Sequence, residues 1–312
     1  MWRDVEPREP ERERPESGRG GSASSQMEFA EASKESRDVF SRELDVPRGP
    51  RRERVRVNAH EYRLSGDDVR ALATVGAFRV VPANELREPN PRTPTGPARD
   101  LERLRDHGLI KTMPSVVGRT RTTLVTLTER GRGVLENRRR TDSGEPRQAF
   151  YAGVSKPREL AHDARVHAAY VRAAERLVER GARVRRVVLE EELKSEYQRF
   201  LQKNNRGRRD GGGNPERDHD AIAKWAREHE LPYNEGHVEF PDARIEYDDR
   251  DGRRAVEDIE VVTPHYRGAH AAAKIRAGFS CYRAVGARLG GVGGSGRSGR
   301  GVDPRLAEEL LS

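Results

Sequence analysis

Cysteine is nearly absent from this chain: Cys281 is the only one in 312 residues. An intramolecular disulfide framework is therefore excluded, and no Cys/His spacing of the zinc-binding kind occurs. Cys281 lies in an apolar stretch and reads as a buried core thiol. Aromatic residues make up 5% and hydrophobic residues 33%, so part of the chain lacks the means to build a packed core. No apolar run approaches the ~20 residues of a membrane-spanning helix. The first six residues, Met1-Trp2-Arg3-Asp4-Val5-Glu6, lack the apolar centre of a signal peptide. The glycines at 211–213 and 290–301 stand outside a strand-loop-helix setting and lack the Lys-Ser/Thr of a nucleotide site. A secreted, membrane-spanning or nucleotide-hydrolysing protein is disfavoured, and the expected location is cytoplasmic.

Charge is what the chain has in abundance. Charged residues make up 36%, the formal net charge is +8, and arginine supplies most of the cations. Arginine's planar fork suits phosphates and guanine edges, so a polyanion such as double-stranded DNA is favoured over an acidic protein as partner. The length has room for about two domains. Composition divides the chain further. Residues 1–36 are charged, with Pro, Gly and Ser, and read as a disordered leader. Residues 37–62 read as a basic arm or linker around Pro47-Arg48-Gly49-Pro50-Arg51-Arg52. A compact domain is expected over 63–141 and a second over 150–286. Residues 287–312 form a flexible Gly/Arg tail with a short helix over 303–311.

The first domain begins with Ser65, a good N-cap, followed by Asp67 and Asp68 in the first helical turn. Val69, Leu72, Ala73 and Val75 continue at helical spacing. Phe78 to Val81 is a short apolar run, and Pro82 is expected to open a second, short helix. Leu101, Leu104 and the break at Gly108-Leu109 define a third helix with Arg99, Arg103 and Arg105 on its polar faces. Strands are expected over 110–113, carrying Lys111, and over 122–127, around a turn with Arg119 and Arg121. A helix capped by Thr128 closes the domain. From Arg99 to Arg140, eleven Lys/Arg against five Asp/Glu leave a net +6. Most of the excess charge thus lies on one stretch, which an arginine-rich genome does not explain.

In the second domain a long helix over 159–180 precedes a strand over 184–189, an insertion, and an acidic hairpin. The hairpin joins Phe240-Pro241-Asp242-Ala243-Arg244-Ile245 to Val256-Glu257-Asp258-Ile259-Glu260-Val261-Val262 through Asp249-Arg250-Asp251-Gly252. Asp258 and Glu260 share a strand face. Asp242 joins that face if Arg250, Asp251 and Gly252 form a three-residue loop with Gly252 left-handed. A two-residue Asp251-Gly252 turn sends it to the other. Such an acid cluster calls for a cation between its members, or is a solvated hairpin whose acids pair with Arg244, Arg253 and Arg254. A helix over 267–283 is expected to carry Ile275, Phe279 and Tyr282 on one stripe, with Lys274 at its border. No further strand is evident after it.

These residues carry three resemblances. The string from Leu101 through Gly108-Leu109-Ile110 to Val125-Thr126-Leu127-Thr128 and Leu135 resembles the recognition helix and wing of MarR-like winged helix-turn-helix regulators. Pro241-Asp242 and Asp258-Ile259-Glu260 resemble the active-site hairpin of the PD-(D/E)xK (restriction-endonuclease-like) nucleases, with Glu where lysine is usual. The wing, His162-Asp163, Glu190 to Leu193, Pro241-Asp242, Glu257 to Val261, Lys274 and Tyr282, in that order, resemble the replication-relaxation family of plasmid and integrative-element proteins. The implied fold is α+β: an N-terminal winged helix-turn-helix followed by an α/β PD-(D/E)xK-like domain.

The implied function is DNA binding in replication or transfer, with duplex DNA contacts from Arg99, Arg103, Arg105, Lys111, Arg119 and Arg121. A homodimer and replication or transfer proteins are the further partners it suggests. If the second domain nicks DNA, Asp242 and Asp258 hold Mg²⁺, Glu260 orients water, and Lys274 stabilises charge on the phosphate. The alternative is a non-catalytic transcriptional or replication regulator whose second domain dimerises or recruits a partner. His162, Asp163 and His167 are expected in capping or surface roles, and His219 and His229 facing water. Glu190 to Glu192 either extend the acid cluster or are a solvated run. His265 and His270 are minor candidates for a base.

Overall fold

Three apolar residues in the stretch expected as an arm, and Leu64 just beyond it, stand at alternating positions among polar ones. Val55, Val57, Tyr62 and Leu64 all turn inward and are buried. Accordingly β1 (Glu53–Val57) and β2 (His60–Leu64) pair as an antiparallel hairpin. A 3₁₀ turn at Val39–Ser41 anchors the chain ahead of it through buried Val39 and Phe40. The arm is therefore folded, because its few apolar residues sit at strand spacing within a basic sequence. The computed structural model describes residues 39–86, 96–117, 120–140, 146–154, 159–203, 219–262 and 274–283. The leader over 1–36, the tail over 287–312, His265 and His270 lie outside them.

Helix α1 (Gly66–Phe78) starts at the expected cap. The Ser65 hydroxyl accepts from the Asp68 N–H at 3.3 Å, and the Asp68 carboxylate accepts from the Ser65 N–H at 2.8 Å. The short helix expected at Pro82 is a turn, closed by the Glu85 N–H on the Pro82 carbonyl. Val81 and Pro82 instead form β3, opposite Val125 and Leu124. Helix α2 (Gly96–Asp106) leads into β4 (Ile110–Val117) and β5 (Thr120–Leu127), each longer than expected. Helix α3 (Glu129–Glu136) follows, its Thr128 side chain accepting from the Gly131 N–H. The sheet order is β3-β5-β4, all antiparallel.

The second half runs α4 (Leu160–Glu179), β6 (Arg183–Leu189), α5 (Glu190–Gln202) and α6 (His219–Glu228). Two short strands, β7 (Tyr233–Asn234) and β8 (His237–Val238), precede β9 (Ala243–Asp248), β10 (Arg254–Val262) and β11 (Ser280–Arg283). One four-stranded sheet has the order β6-β9-β10-β11, with β11 parallel to β10 and the other pairs antiparallel. Helix α4 packs through Ala169, Tyr170, Ala173 and Leu177 on the face carrying Ala243, Ile245, Ile259 and Val261. Helices α5 and α6 cover the other face, around Val188, Leu193, Trp225 and Ala226.

Strand β11 replaces the last part of the helix expected over 267–283, of which 274–276 are helical and 267–273 lie outside the described residues. Gly278 has φ +91°, which stops a helix and suits only glycine comfortably. Phe279, Cys281 and Tyr282 are all buried beyond it. In so short an apolar segment, helical and strand periodicity fit equally well. The two halves share one core: Phe78 from α1 meets Tyr170 and His167 from α4, each with ring centroids 4.8 Å away, and Phe40 lies 5.5 Å from both Phe78 and Tyr170. His167 is thus a buried residue, its Nδ1 2.5 Å from Glu85 Oε2, and not the surface group expected.

Candidate functional site

The hairpin takes the three-residue loop. Gly252 has φ +77°, its N–H donates to the Asp249 carbonyl at 2.9 Å, and the Asp249 N–H donates to the Arg253 carbonyl at 2.8 Å. The register follows: Asp258 faces Arg244 and Ile259 faces Ala243, the last pair of the ladder. Asp242 therefore sits one step beyond, at the level of Glu260. The bulged turn brings the backbones together as the metal-site reading requires.

The carboxylates nevertheless take separate partners. Asp258 is gripped at two points by Arg244, Nε to Oδ1 at 2.7 Å and Nη2 to Oδ2 at 2.8 Å. Arg244 also donates to the carbonyls of His229 and Glu230 at the end of α6, so this pair belongs to the α5/α6 side of the sheet. Asp242 turns the other way, toward α4. Its Oδ2 accepts from the Val261 N–H at 2.7 Å, and His162 Nε2 lies 3.2 Å from the same oxygen. Glu260 is buried near Lys274, whose Nζ lies 3.5 Å from Oε2. Lys274 also donates to the Phe240 carbonyl at 2.8 Å and lies 3.3 Å from Glu239. Each acid thus has its own cation: His162, Arg244 or Lys274. Among the described residues no group of three or more His, Cys, Asp or Glu is arranged to hold a metal ion. The residues that the resemblance assigns to Mg²⁺ do not fit it in this arrangement.

His162 and Asp163, expected in capping or surface roles, stand instead in a partly buried site. They line a cleft with Arg79, Glu159, Glu190 and Asp242. Burial works against a charge on His162, but contacts with Asp163 and Asp242 outweigh it and push its pKa up to about 10. At neutral pH it is an imidazolium between two carboxylates. Arg79 enters the cleft from the end of α1 with φ +67° and ψ −49°, and the Val80 N–H bonds back to the Phe78 carbonyl at 2.7 Å. That is a strained γ-turn, rare outside glycine. Its guanidinium makes a two-point pair with Glu191 and lies 5.0 Å from the Tyr151 ring centroid.

The acids Glu190 to Glu192 lie beside the hairpin, the first two lining the cleft with Asp242. They occupy the first turn of α5, where a helix favours negative charge. Glu190 pairs with Lys194 at 2.6 Å, Glu191 with Arg79, and Glu192 with Arg186 at 3.0 Å. His229 stacks on Trp225 with centroids 4.0 Å apart instead of facing water, and His219 meets the Tyr233 hydroxyl at 2.9 Å. Cys281 is buried as expected, on β11, and burial followed by the nearby Glu260 charge raises its thiol to about 12.

The candidate DNA contacts divide sharply. Arg103 is a structural residue: it donates to Asp68 at 2.5 Å and Asp100 at 3.0 Å, and the Asp68 side chain is wholly buried. Arg105 is about half exposed, 3.8 Å from Asp106. Lys111 on β4 and Arg121 on β5 are exposed. Arg99 contributes its backbone to α2; its side chain, and Arg119 altogether, lie outside the described residues. Among the described residues no helix is long and apolar enough to cross a membrane. Compared with protein-family models, curated proteins and solved structures, the chain matches none.

Proposed function

We propose that this is a cytoplasmic DNA-binding protein of a plasmid or integrative element, acting in replication or transfer, whose second half is a nuclease-like fold used without nicking chemistry. The order α1, β3, α2, β4, β5, α3 supports a winged helix-turn-helix in the first half. Exposed Arg105, Lys111 and Arg121 along α2 and the β4–β5 hairpin carry the DNA-binding reading, because phosphate contacts need solvent-facing cations; Arg105 stays about half exposed beside Asp106. In the second half, α4, β6, β9, β10 and parallel β11 follow the order expected of a PD-(D/E)xK-like core.

The choice against nicking rests on the Arg244–Asp258 pair, which occupies the carboxylate that the resemblance gives to Mg²⁺. On this reading the second half supports the first, as a dimerising surface or a platform for replication or transfer proteins. One observation favours the Mg²⁺-dependent alternative: the Lys274 amine lies beside Glu260, where that alternative wants a cation. Incubating supercoiled DNA with the full chain and Mg²⁺, with Asp258→Ala as control, separates the two. Open-circular product that vanishes in the variant would restore the nuclease reading.

A further inference from the structure

We propose a second DNA contact: an arginine-lined cleft between the folded arm and the second half, docking the phosphate backbone of a duplex. This rests on the DNA-binding reading above and extends it to a surface outside α2 and the β4–β5 hairpin. The cleft, with about 600 Å³ of room, is lined by Arg42, Arg48, Arg70 and Arg183. The four come from distant parts of the chain: the turn after Val39–Ser41, the arm, α1 and the start of β6. Among the described residues no carboxylate lines it. Asp67, outside the lining, pairs with Arg70 and offsets part of that charge. Arg48 and Arg183 are exposed.

The cations are held in position. The Gly66 N–H donates to the Gly49 carbonyl at 2.8 Å, and a Cβ on Gly66 would fall 2.2 Å from the Arg48 carbonyl oxygen. The arm backbone therefore lies directly on the start of α1. Arg48 Nη2 donates to the Arg42 carbonyl at 3.0 Å, and Arg42 Nη1 to the Val184 carbonyl at 3.5 Å. A bond to a neutral carbonyl orients the Arg48 guanidinium without cancelling its charge. Four gathered cations repel one another and concentrate anions. A small-molecule pocket needs mainly apolar walls and a few convergent polar groups. Here the apolar lining is limited to Pro47, Val178 and Ala182, and the two exposed cations, Arg48 and Arg183, from distant parts of the chain suit an extended polyanion.

The test is fluorescence anisotropy of the full chain with a labelled duplex of about three helical turns. Binding is followed between about 50 and 200 mM salt, with tripolyphosphate as a small-anion competitor. The variants are Arg48→Ala/Arg183→Ala, the charge-keeping Arg48→Lys/Arg183→Lys, and Lys111→Ala/Arg121→Ala. The alanine cleft variant is expected to lose about tenfold in affinity and about two units of salt slope, with the melting temperature unchanged and the lysine variant near wild type. Full slope in the alanine cleft variant, alongside a reduced slope in the Lys111/Arg121 variant, overturns the cleft and leaves the DNA-binding reading standing. The reverse pattern keeps the cleft and removes the hairpin contact. Tripolyphosphate binding that is lost in the alanine cleft variant while its duplex slope stays whole makes the cleft a free-polyphosphate site and overturns the proposal. Wild-type protein that fails to bind the duplex at all removes both. If the alanine variant melts early, an unchanged slope in single Arg48→Ala and Arg183→Ala variants overturns the cleft.

Discussion

Arg244 and Asp258 face each other across β9 and β10 and close a two-point ion pair, with only 6% and 10% of their side chains exposed. The pair decides what the hairpin can do. A carboxylate held by a guanidinium at both oxygens has little left to offer a metal ion, and two more guanidinium bonds tie Arg244 to the end of α6. Removing one partner of such a pair strands a buried charge. Arg244→Ala should therefore destabilise the protein by about 3–5 kcal/mol in urea denaturation, and the double variant with Asp258→Ala by less. Additive losses would show that the two residues act independently.

His162 makes the stability of the chain depend on pH in the alkaline range. Its pKa is raised to about 10 in the folded protein, against an ordinary value near 6.5. A raised histidine contributes its full stabilisation below about pH 6.5 and loses it as pH climbs toward 10. Denaturation midpoints should fall across that window, and His162→Gln should flatten the fall. The other charged groups facing the cleft are Asp163, Asp242, Glu159, Glu190, Glu191 and Arg79. An identical profile in the variant would remove His162 from the account.

Arg103 and Arg105, two residues apart on α2, should behave as opposites. Arg103→Ala removes a charged hydrogen bond to buried Asp68 and should cost about 1.5–3 kcal/mol of stability. Arg105→Ala should leave the melting temperature within about a degree or two and weaken duplex binding. Thermal scans paired with anisotropy distinguish them. Equal stability losses would mean that exposure is a poor guide to their roles.

The exposed hairpin cations give a salt-dependence test. Lys111→Ala with Arg121→Ala should weaken binding to all duplex sequences alike and lower the salt slope by up to about two units. A sequence-selective loss with an unchanged slope would instead assign these residues to base edges.

Helix starts and turn chemistry were legible in the sequence. The Ser65 and Thr128 caps and the end of α4 occur where local rules put them, and the left-handed Gly252 loop is one of the two turns those rules left open. Those rules act within a few residues, so one sequence is enough to read them. Two kinds of feature escaped. Apolar residues at strand spacing inside charged stretches, as in β1 and β2, were hidden by composition, and β11 by the ambiguity of a short apolar run. Arginines such as 79, 103 and 186 bond to carboxylates 35 to 112 positions away, a pairing that tertiary packing alone creates, whereas Arg244 on a hairpin acid was one of the two alternatives the sequence offered. Counting charge along α2 therefore credited Arg103 to DNA, and reading acids on one hairpin could not reveal that His162 draws Asp242 to the opposite layer.

The central claim is that the chain holds duplex DNA and leaves it intact. Its most direct test is one gel of supercoiled plasmid titrated with the full chain in Mg²⁺, each sample run before and after protein removal. The account predicts retarded plasmid before removal and fully supercoiled plasmid after it. Open-circular plasmid that depends on Asp258, or plasmid that is never retarded, would contradict it.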